Sequence, residues 1–289
     1  MIAPLFATVA ITTTTPTWHD AARGRDLPVK IYAPTVVTNP VPLLVFSHGL
    51  GGTREGCAYL GQHWAAHGYI SVHVQHPGSD AAIFSFREDA LATARRAAMN
   101  PDNWRARALD VSFVISQMLK DPRVDGNAIG VAGHSFGAHT AQMIIGRRVA
   151  DETYRDARVK AAVALSPNRP ASARALRDMA VPCLYLTGTE DNSPLFPTTP
   201  EDRRYVFDHV TATNQWFINL KGAHHFTFSD NPLWGGKRLQ RDPRHHPWIC
   251  EITTKFWDAF LKGDAQATAW LTGSGLPELL GENAFIERK

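Results

Sequence analysis

Cysteine is scarce in this chain of 289 residues: Cys57, Cys183 and Cys250 are the only three, and no two of them form a C-x-x-C pair. An odd and widely spaced set argues against a disulfide framework and against a cysteine zinc site. Long apolar runs are also missing, since no segment has the roughly 20 residues that a membrane-spanning helix needs. The first residues, MIAPLFATVAITTTTP, lack a basic start and a clear cleavage site. A cytoplasmic location is therefore the default expectation.

The chain also has no large excess of charge of one sign, because 30 Lys and Arg residues nearly balance 27 Asp and Glu residues, for a formal net charge of +3. This balance is no argument for a nucleic-acid partner or an anionic membrane. The glycine-rich run GLGG is followed by Thr53-Arg54 and not by the Gly-Lys-Ser/Thr of a phosphate loop. No G-x-G-x-x-G opens a helix after the first strand, and His245-His246 has no third metal ligand nearby. We predict no metal and no cofactor.

Apolar residues make up 44% of the chain, which predicts a packed core and argues against disorder. There are no internal repeats and no low-complexity linker, so we expect a single domain over residues 1–289. From about Leu43 onward, continuous apolar runs alternate with helical patterns, and this alternation is typical of a mostly parallel sheet covered by helices on both faces. Two β-branched segments before it predict an antiparallel start. We expect QWFINLKG to be the last strand, ASARALRDM a helix and PWICEITTKFWDAFLKG the closing helix.

Ligand sites in such sheets lie beyond the carboxyl ends of the strands. The predicted strand AIGVAG runs into Gly133-His134-Ser135-Phe136-Gly137 and then into a helix pattern. A G-x-S-x-G turn at such a junction forces the serine into a strained conformation and leaves its hydroxyl exposed, whereas the alternative is a tight turn with no chemistry. Two later strands end at Glu190-Asp191 and at His224-His225. In chain order the strand ends supply a serine, an acid and a histidine, which favours the catalytic interpretation.

Each of these residue types has a chemical task. Serine needs a base to take its proton as it attacks, histidine titrates near neutrality, and a carboxylate on the far nitrogen fixes the tautomer. We favour Asp191 over Glu190 because it is shorter and lies further into the turn. We favour His225 over His224, which then becomes a wall residue of the substrate site.

The chemistry also requires two backbone N–H groups as an oxyanion hole. The residue after the nucleophile, Phe136, supplies one of them, and Leu50 in the glycine-rich run HGLGG is placed for the other.

With these residues in hand, the chain resembles the α/β-hydrolase superfamily, and within it the platelet-activating-factor acetylhydrolase-like and dienelactone-hydrolase-like serine esterases. The resemblance covers most of the chain from about Arg25 to the closing helix, and it is carried by LLVFSHGLGGTRE, LGQHWAAHGYISVHVQHPGSD, GVAGHSFGAHTA, YLTGTEDNSP and KGAHHFTFSD. It implies Ser135 as nucleophile, Leu50 and Phe136 as oxyanion donors and His225 as base.

Two departures from these families qualify the resemblance. Dienelactone hydrolases use a cysteine nucleophile, where this chain has Ser135. In the eukaryotic acetylhydrolases the acid follows the preceding strand, where this chain has ALSPN with Ser166. The acid is therefore placed at Asp191, as in many bacterial esterases, and the resemblance implies serine hydrolysis while it leaves phospholipid specificity open.

The substrate site is predicted to be open, because the segment between ALSP and VPCLYL is close to one helix in length and leaves no room for a cap domain. Two longer segments, residues 77–104 and 227–247, are available to line it. Nothing in the sequence specifies a basic clamp for an anionic substrate. The apolar wall candidates are Phe84, Phe86, Phe136, Trp234 and Trp248.

We therefore expect a serine hydrolase that cleaves carboxylic esters of short acyl chains, on small or polymeric substrates, in an oligomeric state that the sequence leaves open. The alternatives are a lipase or phospholipid acetylhydrolase, a polyester hydrolase, an acyltransferase with the same triad, and a binding module without catalysis.

Overall fold

The chain is described by a computed structural model, which covers residues 9–84, 89–193, 195–230, 233–234, 237–238 and 240–289, with backbone alone at 233–234 and 237–238. Its strands are β1 (Ile11–Thr14), β2 (Thr17–Asp20), β3 (Arg25–Pro34), β4 (Val41–Ser47), β5 (Ile70–Val74), β6 (Val124–His134), β7 (Val159–Leu165), β8 (Cys183–Glu190), β9 (Gln215–His224), β10 (Leu233–Trp234), β11 (Lys237–Arg238) and β12 (Ala284–Arg288).

The helices of the described residues alternate with these strands from β4 onward. They are α1 (Ala58–Ala66), α2 (Ala90–Met99), α3 (Pro101–Met118), α4 (Phe136–Ile144), α5 (Pro200–Arg203), α6 (Tyr205–His209), α7 (His245–Leu261), α8 (Ala265–Thr272) and α9 (Gly275–Leu280). Short 3₁₀ turns are found at Ala81–Phe84, Ala173–Leu176, His225–Phe228 and Gly281–Asn283.

Ten of the strands form one mixed sheet in the order β1-β3-β5-β4-β6-β7-β8-β9-β12, with β2 paired to β3. The pairs from β5 through β9 are parallel, and the pairs that β1, β2 and β12 make are antiparallel. The strand β3 joins the antiparallel start to the parallel part through an antiparallel pair with β5. Because β6, β7, β8 and β9 are consecutive neighbours, the loops at their carboxyl ends lie side by side.

Both faces of this sheet are covered. Along β4, Leu43 and Val45 belong to the core beneath α3 and α4, while Leu44 and Phe46 belong to the core beneath α1, α7, α8 and α9. Successive strand residues point to opposite faces, so a strand buried on both sides must be apolar at every position. This explains the continuous apolar runs and confirms the predicted α/β-hydrolase fold with its antiparallel start.

Three details of the predicted element order were wrong. QWFINLKG is β9 but not the last strand, and PWICEITTKFWDAFLKG is α7 but not the closing helix. The chain continues after α7 through α8 and α9 into β12, which pairs antiparallel with β9. The burial of β12 is low, and an exposed edge strand carries little of the apolar signal on which the prediction depended. The stretch ASARALRDM forms a single 3₁₀ turn at Ala173–Leu176 instead of a helix.

No helix among the described residues is long and apolar enough to cross a membrane.

Candidate active site

Ser135 occupies a sharp turn between β6 and α4, with φ 55° and ψ −114°. A positive φ is strained for a non-glycine residue, and such strain concentrates at functional sites. The flanking glycines make this turn possible. A Cβ on Gly137 would lie 1.8 Å from the Ser47 carbonyl oxygen, and one on Gly133 would lie 2.2 Å from the Gly137 oxygen. The two glycines thus allow β4, β6 and α4 to approach closely around the serine.

The imidazole of His225 connects Ser135 to Asp191. Its Nε2 lies 2.9 Å from Ser135 Oγ, and its Nδ1 lies 2.8 Å from Asp191 Oδ1. Because a carboxylate only accepts hydrogen bonds, Nδ1 carries the proton and Nε2 is left to accept from the serine hydroxyl. His134 Nε2, 2.9 Å from the His225 carbonyl oxygen, holds the loop after β9 in place. The structure thus brings together the three residues that the sequence placed at the ends of β6, β8 and β9.

The carboxylate of Asp191 is fully buried and has several donors. Oδ2 accepts from Ser166 Oγ at 2.6 Å and from Thr187 Oγ1 at 2.8 Å, while Arg203 Nη2 lies 3.2 Å from Oδ1. Burial raises the pKa of Asp191, but the hydrogen bond from His225 and the charge of Arg203 outweigh it, so the pKa lies below its usual value. Asp191 is therefore held as an anion.

Three of these neighbours, Ser166, Thr187 and Arg203, were not predicted from the sequence. Ser166 directly follows β7 and has a positive φ of 53°, so its place at a strand end is a usable signal, whereas Thr187 lies inside β8. Arg203 lies on α5, a four-residue helix without a recognisable pattern. Only tertiary packing brings it to the site.

The disfavoured members of the two pairs lie elsewhere. Glu190 is exposed. The Nδ1 of His224 accepts from the Phe226 N–H at 3.2 Å, and its Nε2 lies 3.1 Å from the Gln240 carbonyl oxygen. His224 therefore caps the turn after β9 and does not line either of the cavities at Ser135 described below.

The amides of Leu50 and Phe136 flank the serine. Leu50 follows β4, the sheet neighbour of β6, and Phe136 begins α4. Among the described residues, neither N–H has a hydrogen-bond partner, although neighbouring amides in the same turns do. Both residues line the larger of the cavities at Ser135. The arrangement fits two donors directed at an oxyanion.

A buried arginine, Arg107, connects the segments that carry these two amides. Its Nη2 donates to Ser47 Oγ at 2.9 Å and to the His48 carbonyl oxygen, and its guanidinium carbon lies 4.6 Å from the centroid of the Phe136 ring. Nε and Nη1 donate to Thr140 and Ser79 at 2.9 Å each. Burial lowers the pKa of Arg107 to about 9, so it stays charged at neutral pH. Its position on the apolar stripe of α3 was a sequence signal that went unused.

We expect Arg107→Gln to lower kcat by about 10²-fold, comparable to the loss of one oxyanion donor, because the loop that carries Leu50 loses its anchor. The KM should change much less, because the anchor acts on the transition state. Steady-state kinetics on a neutral ester measure this split. Arg123→Gln, which removes a surface arginine paired with Asp121 at 2.7 Å, is the matched control. An equal loss in both variants would refute the positioning role.

A second Ser-His-Asp arrangement lies behind the oxyanion loop. Ser47 Oγ is 3.0 Å from His76 Nε2, and His76 Nδ1 is 2.9 Å from Asp110 Oδ2. These side chains are at most 1% exposed, and Asp110 also pairs with Arg23 and Arg25 at 2.8 and 2.9 Å. Burial lowers the pKa of His76 to about 4. Because no substrate reaches Ser47, this network is structural and holds the loop after β4.

Two cavities meet at Ser135 and His225. The first, of about 550 Å³, has four arginines in its wall and is called the basic cavity here. The second, of about 520 Å³, is lined mainly by apolar side chains and glycines and is called the apolar cavity. Leu50 and Leu195 stand where they join. The two cavities thus share Ser135 and His225, and the arginines of the basic cavity are a feature that no signal in the sequence predicted.

The aromatic wall candidates divide between these regions. Phe84 lines the apolar cavity and Phe136 the basic cavity. Trp248, on α7, packs under the Arg244 guanidinium at 4.9 Å and lines neither cavity. Phe86 and the side chain of Trp234 lie outside the described residues.

The pair His245-His246 was the candidate for a metal site that the sequence offered. Over the described ranges, no group of three His, Cys, Asp or Glu is placed to hold a metal ion. His245 Nε2 lies 3.3 Å from the Lys221 carbonyl oxygen, and His246 Nε2 lies 3.0 Å from that of Thr227.

The chain is similar to several known proteins. The sequence pattern of a family described as platelet-activating factor acetylhydrolase, isoform II, matches residues 21–104, which include Leu50 but not Ser135, Asp191 or His225. Platelet-activating factor acetylhydrolase of Cavia porcellus is 23% identical over 247 residues, covering 73% of this chain and 53% of the relative. Cutinase est2 of Thermobifida alba is 24% identical over 226 residues, covering 73% of this chain and 64% of the relative.

The chain therefore spans between half and two thirds of the length of these relatives. Among solved structures, a ferulic acid esterase from Streptomyces cinnamoneus superposes with a TM-score of 0.70 at 20% identity, covering 99% of this chain and 98% of the esterase. Together, the described structure and this likeness establish the α/β-hydrolase fold.

Proposed function

We propose that this protein hydrolyses carboxylic esters through a covalent acyl-enzyme, with Ser135 as nucleophile, His225 as general base and Asp191 as the group that orients His225. One observation carries the proposal: the His225 ring lies between Ser135 Oγ at 2.9 Å and Asp191 Oδ1 at 2.8 Å. These are the distances over which a base takes a proton from an attacking hydroxyl. The names of the relatives, acetylhydrolase, cutinase and ferulic acid esterase, favour esters as the substrate class.

Each step of the reaction then has a group to perform it. Ser135 Oγ attacks the ester carbonyl carbon as its proton passes to His225 Nε2, and the carbonyl oxygen becomes an oxyanion held by the Leu50 and Phe136 amides. The tetrahedral intermediate collapses, the alcohol leaves with the proton from Nε2, and the acyl group stays on Ser135. Water then attacks the acyl-enzyme with the same base, which releases the acid and restores the serine.

Short acyl chains are the proposed preference, since the apolar cavity is bounded by Phe84 and Leu91. With p-nitrophenyl esters from acetate to palmitate, we expect kcat/KM to peak between acetate and butyrate. It should fall by about tenfold or more by palmitate, because each methylene that fits poorly in a pocket discriminates strongly. Absorbance of released p-nitrophenol measures the series. A peak at long chains would contradict the short-chain preference and favour a lipase.

Transfer to an alcohol is the alternative fate of the acyl-enzyme. Adding a primary alcohol to the same assay separates the two, because a hydrolase releases mostly free acid and an acyltransferase mostly the new ester. Chromatography of the products decides between them, and a dominant ester product would replace hydrolysis by acyl transfer as the proposed function.

A further inference from the structure

The basic cavity contains an excess of positive charge next to the nucleophile. Among the described residues, arginines at four positions line it, against a single carboxylate, that of Asp151; the arginines are Arg147, Arg148, Arg169 and Arg174. The apolar cavity on the other side of Ser135 shows no such excess over the described part of the chain, where Asp230 is the one Asp, Glu, Lys or Arg in its wall. The two halves of the substrate site therefore differ in chemistry.

Arg147 is the unusual member of the set. Its side chain is buried, at 5% exposure, and its Nη1 donates to two neutral oxygens, Gln142 Oε1 at 2.6 Å and the Asn168 carbonyl at 2.8 Å. Its Nε has no hydrogen-bond partner in the part of the chain that the structure describes. No carboxylate of the described residues forms an ion pair with it, whereas Arg148 pairs with Asp178 at 2.9 Å and Arg169 with Asp202 at 3.1 Å.

An unpaired buried charge is energetically unfavourable, and buried charges in proteins are normally paired. Burial lowers the pKa of Arg147 to about 9, which leaves the guanidinium charged at neutral pH. The guanidinium lies in the wall of a cavity that also contains Ser135. An anion that enters this cavity would give the charge the partner that the described residues do not supply. Arginine binds carboxylate and phosphate oxygens particularly well, because its planar group offers several directed donors.

The fold also sets the separation between this charge and the reacting atoms. Ser135 and Arg147 lie before and after α4, a helix of nine residues. At about 1.5 Å per residue, α4 by itself is about 14 Å long, which keeps the backbones of the two residues apart. Gly146 between α4 and Arg147 has a φ of 119°, and a Cβ there would lie 2.2 Å from the Asp178 carbonyl oxygen, so the turn is tightly packed. An anion held by Arg147 therefore lies several bonds away from an ester carbonyl at Ser135.

We propose that the substrate is an ester that carries a carboxylate or phosphate group several bonds from the ester carbonyl, and that Arg147 binds this anion in the basic cavity. The apolar part of the substrate then occupies the apolar cavity. This inference rests on the proposed function. Arg174, exposed in the wall of the same cavity, adds attraction for the incoming anion.

Matched pairs of esters test it. The carboxylate arm compares monomethyl suberate with dimethyl suberate. The phosphate arm compares 4-acetoxybutyl phosphate with 4-acetoxybutanol. In both arms the acid released is measured by pH-stat titration. We expect wild type to prefer the anionic member in at least one arm, and that arm identifies the anion. In Arg147→Gln the ratio of kcat/KM for the anionic to the neutral ester should fall about 10- to 100-fold, the range for one charge-assisted hydrogen bond. Arg123→Gln should leave the ratio unchanged.

The possible results separate this inference from the proposed function. Wild type that cleaves the neutral members and shows no preference for either anion would overturn the inference and leave ester hydrolysis standing. An unchanged ratio in Arg147→Gln would overturn the role of Arg147. Absence of hydrolysis for every ester would instead contradict the proposed function.

A variant-independent measurement covers the case in which Arg147→Gln does not fold. Free adipate and inorganic phosphate are tested as inhibitors of wild-type p-nitrophenyl acetate hydrolysis, with neutral adipamide as the control. We expect at least one of the two anions to inhibit competitively. The inhibition constant of adipamide should be at least about tenfold higher than that of this anion. Equal inhibition by adipate and adipamide, with none by phosphate, would overturn the proposal.

Discussion

Replacing Ser135 by alanine should lower kcat for ester hydrolysis by about 10⁴- to 10⁶-fold, the range found when a triad nucleophile is removed. The reason is that, among the residues that the structure describes, Ser135 is the one whose hydroxyl is hydrogen-bonded to His225 Nε2, at 2.9 Å. The Cβ of alanine fits the strained turn as the serine does, so the fold should be retained. Kinetics with a p-nitrophenyl ester, together with thermal melting, measure both effects.

The second Ser-His-Asp arrangement offers a matched control for this experiment. Ser47 has the same types of partner as Ser135 but is 1% exposed. A fluorophosphonate that labels serine nucleophiles should therefore label wild type and Ser47→Ala, and should fail to label Ser135→Ala. Labelling or undiminished turnover in Ser135→Ala would mean that another residue is the nucleophile.

Replacing Asp191 by asparagine should lower kcat by about 10⁴-fold, because an amide neither stabilises the imidazolium nor enforces the tautomer that leaves Nε2 free to accept. The adjacent Glu190→Gln should reduce kcat by less than about tenfold, because this side chain is exposed and it is Asp191 that accepts the hydrogen bond from His225 Nδ1. Both variants exchange a carboxylate for an amide of the same size. Parallel kinetics therefore compare the two acids directly, and a severe loss in Glu190→Gln with a mild one in Asp191→Asn would reverse the assignment.

The stability of Asp191→Asn must be measured with its activity. The substitution leaves Arg203, which is 1% exposed and 3.2 Å from Asp191 Oδ1, without its buried partner. Removing one member of a buried ion pair costs about 3–5 kcal/mol of folding free energy. Activity is therefore compared well below the melting temperature of the variant. A lowered melting temperature with full activity at low temperature would limit Asp191 to a structural role.

Much of the fold was predictable because its signals are local. Strand residues that are buried on both faces must be apolar, so the buried stretches within β4, β6, β7 and β8 appear in the sequence as short apolar runs, namely 43–46, 128–132, 161–165 and 183–186. The strand β12 was missed for the opposite reason: its exposed edge position does not demand apolar residues. The turn around Ser135 was predictable because Gly133 and Gly137 are required by backbone contacts within and beside that turn.

Local patterns in the sequence were enough to predict the α/β-hydrolase fold and a serine, an acid and a histidine at the ends of predicted strands, because strand and helix patterns and turn chemistry depend on neighbouring residues. Which side chains surround these three residues depends instead on the packing of distant segments. Arg203 forms an ion pair with Asp191, Arg107 connects the Leu50 loop to Phe136, and Arg147 lines the basic cavity with no acidic partner in the described part of the chain. Each of these arginines either is distant in the chain from the groups that it contacts or belongs to no periodic pattern in the sequence. In addition, the free energy of a buried charge depends on the groups that the fold packs around it.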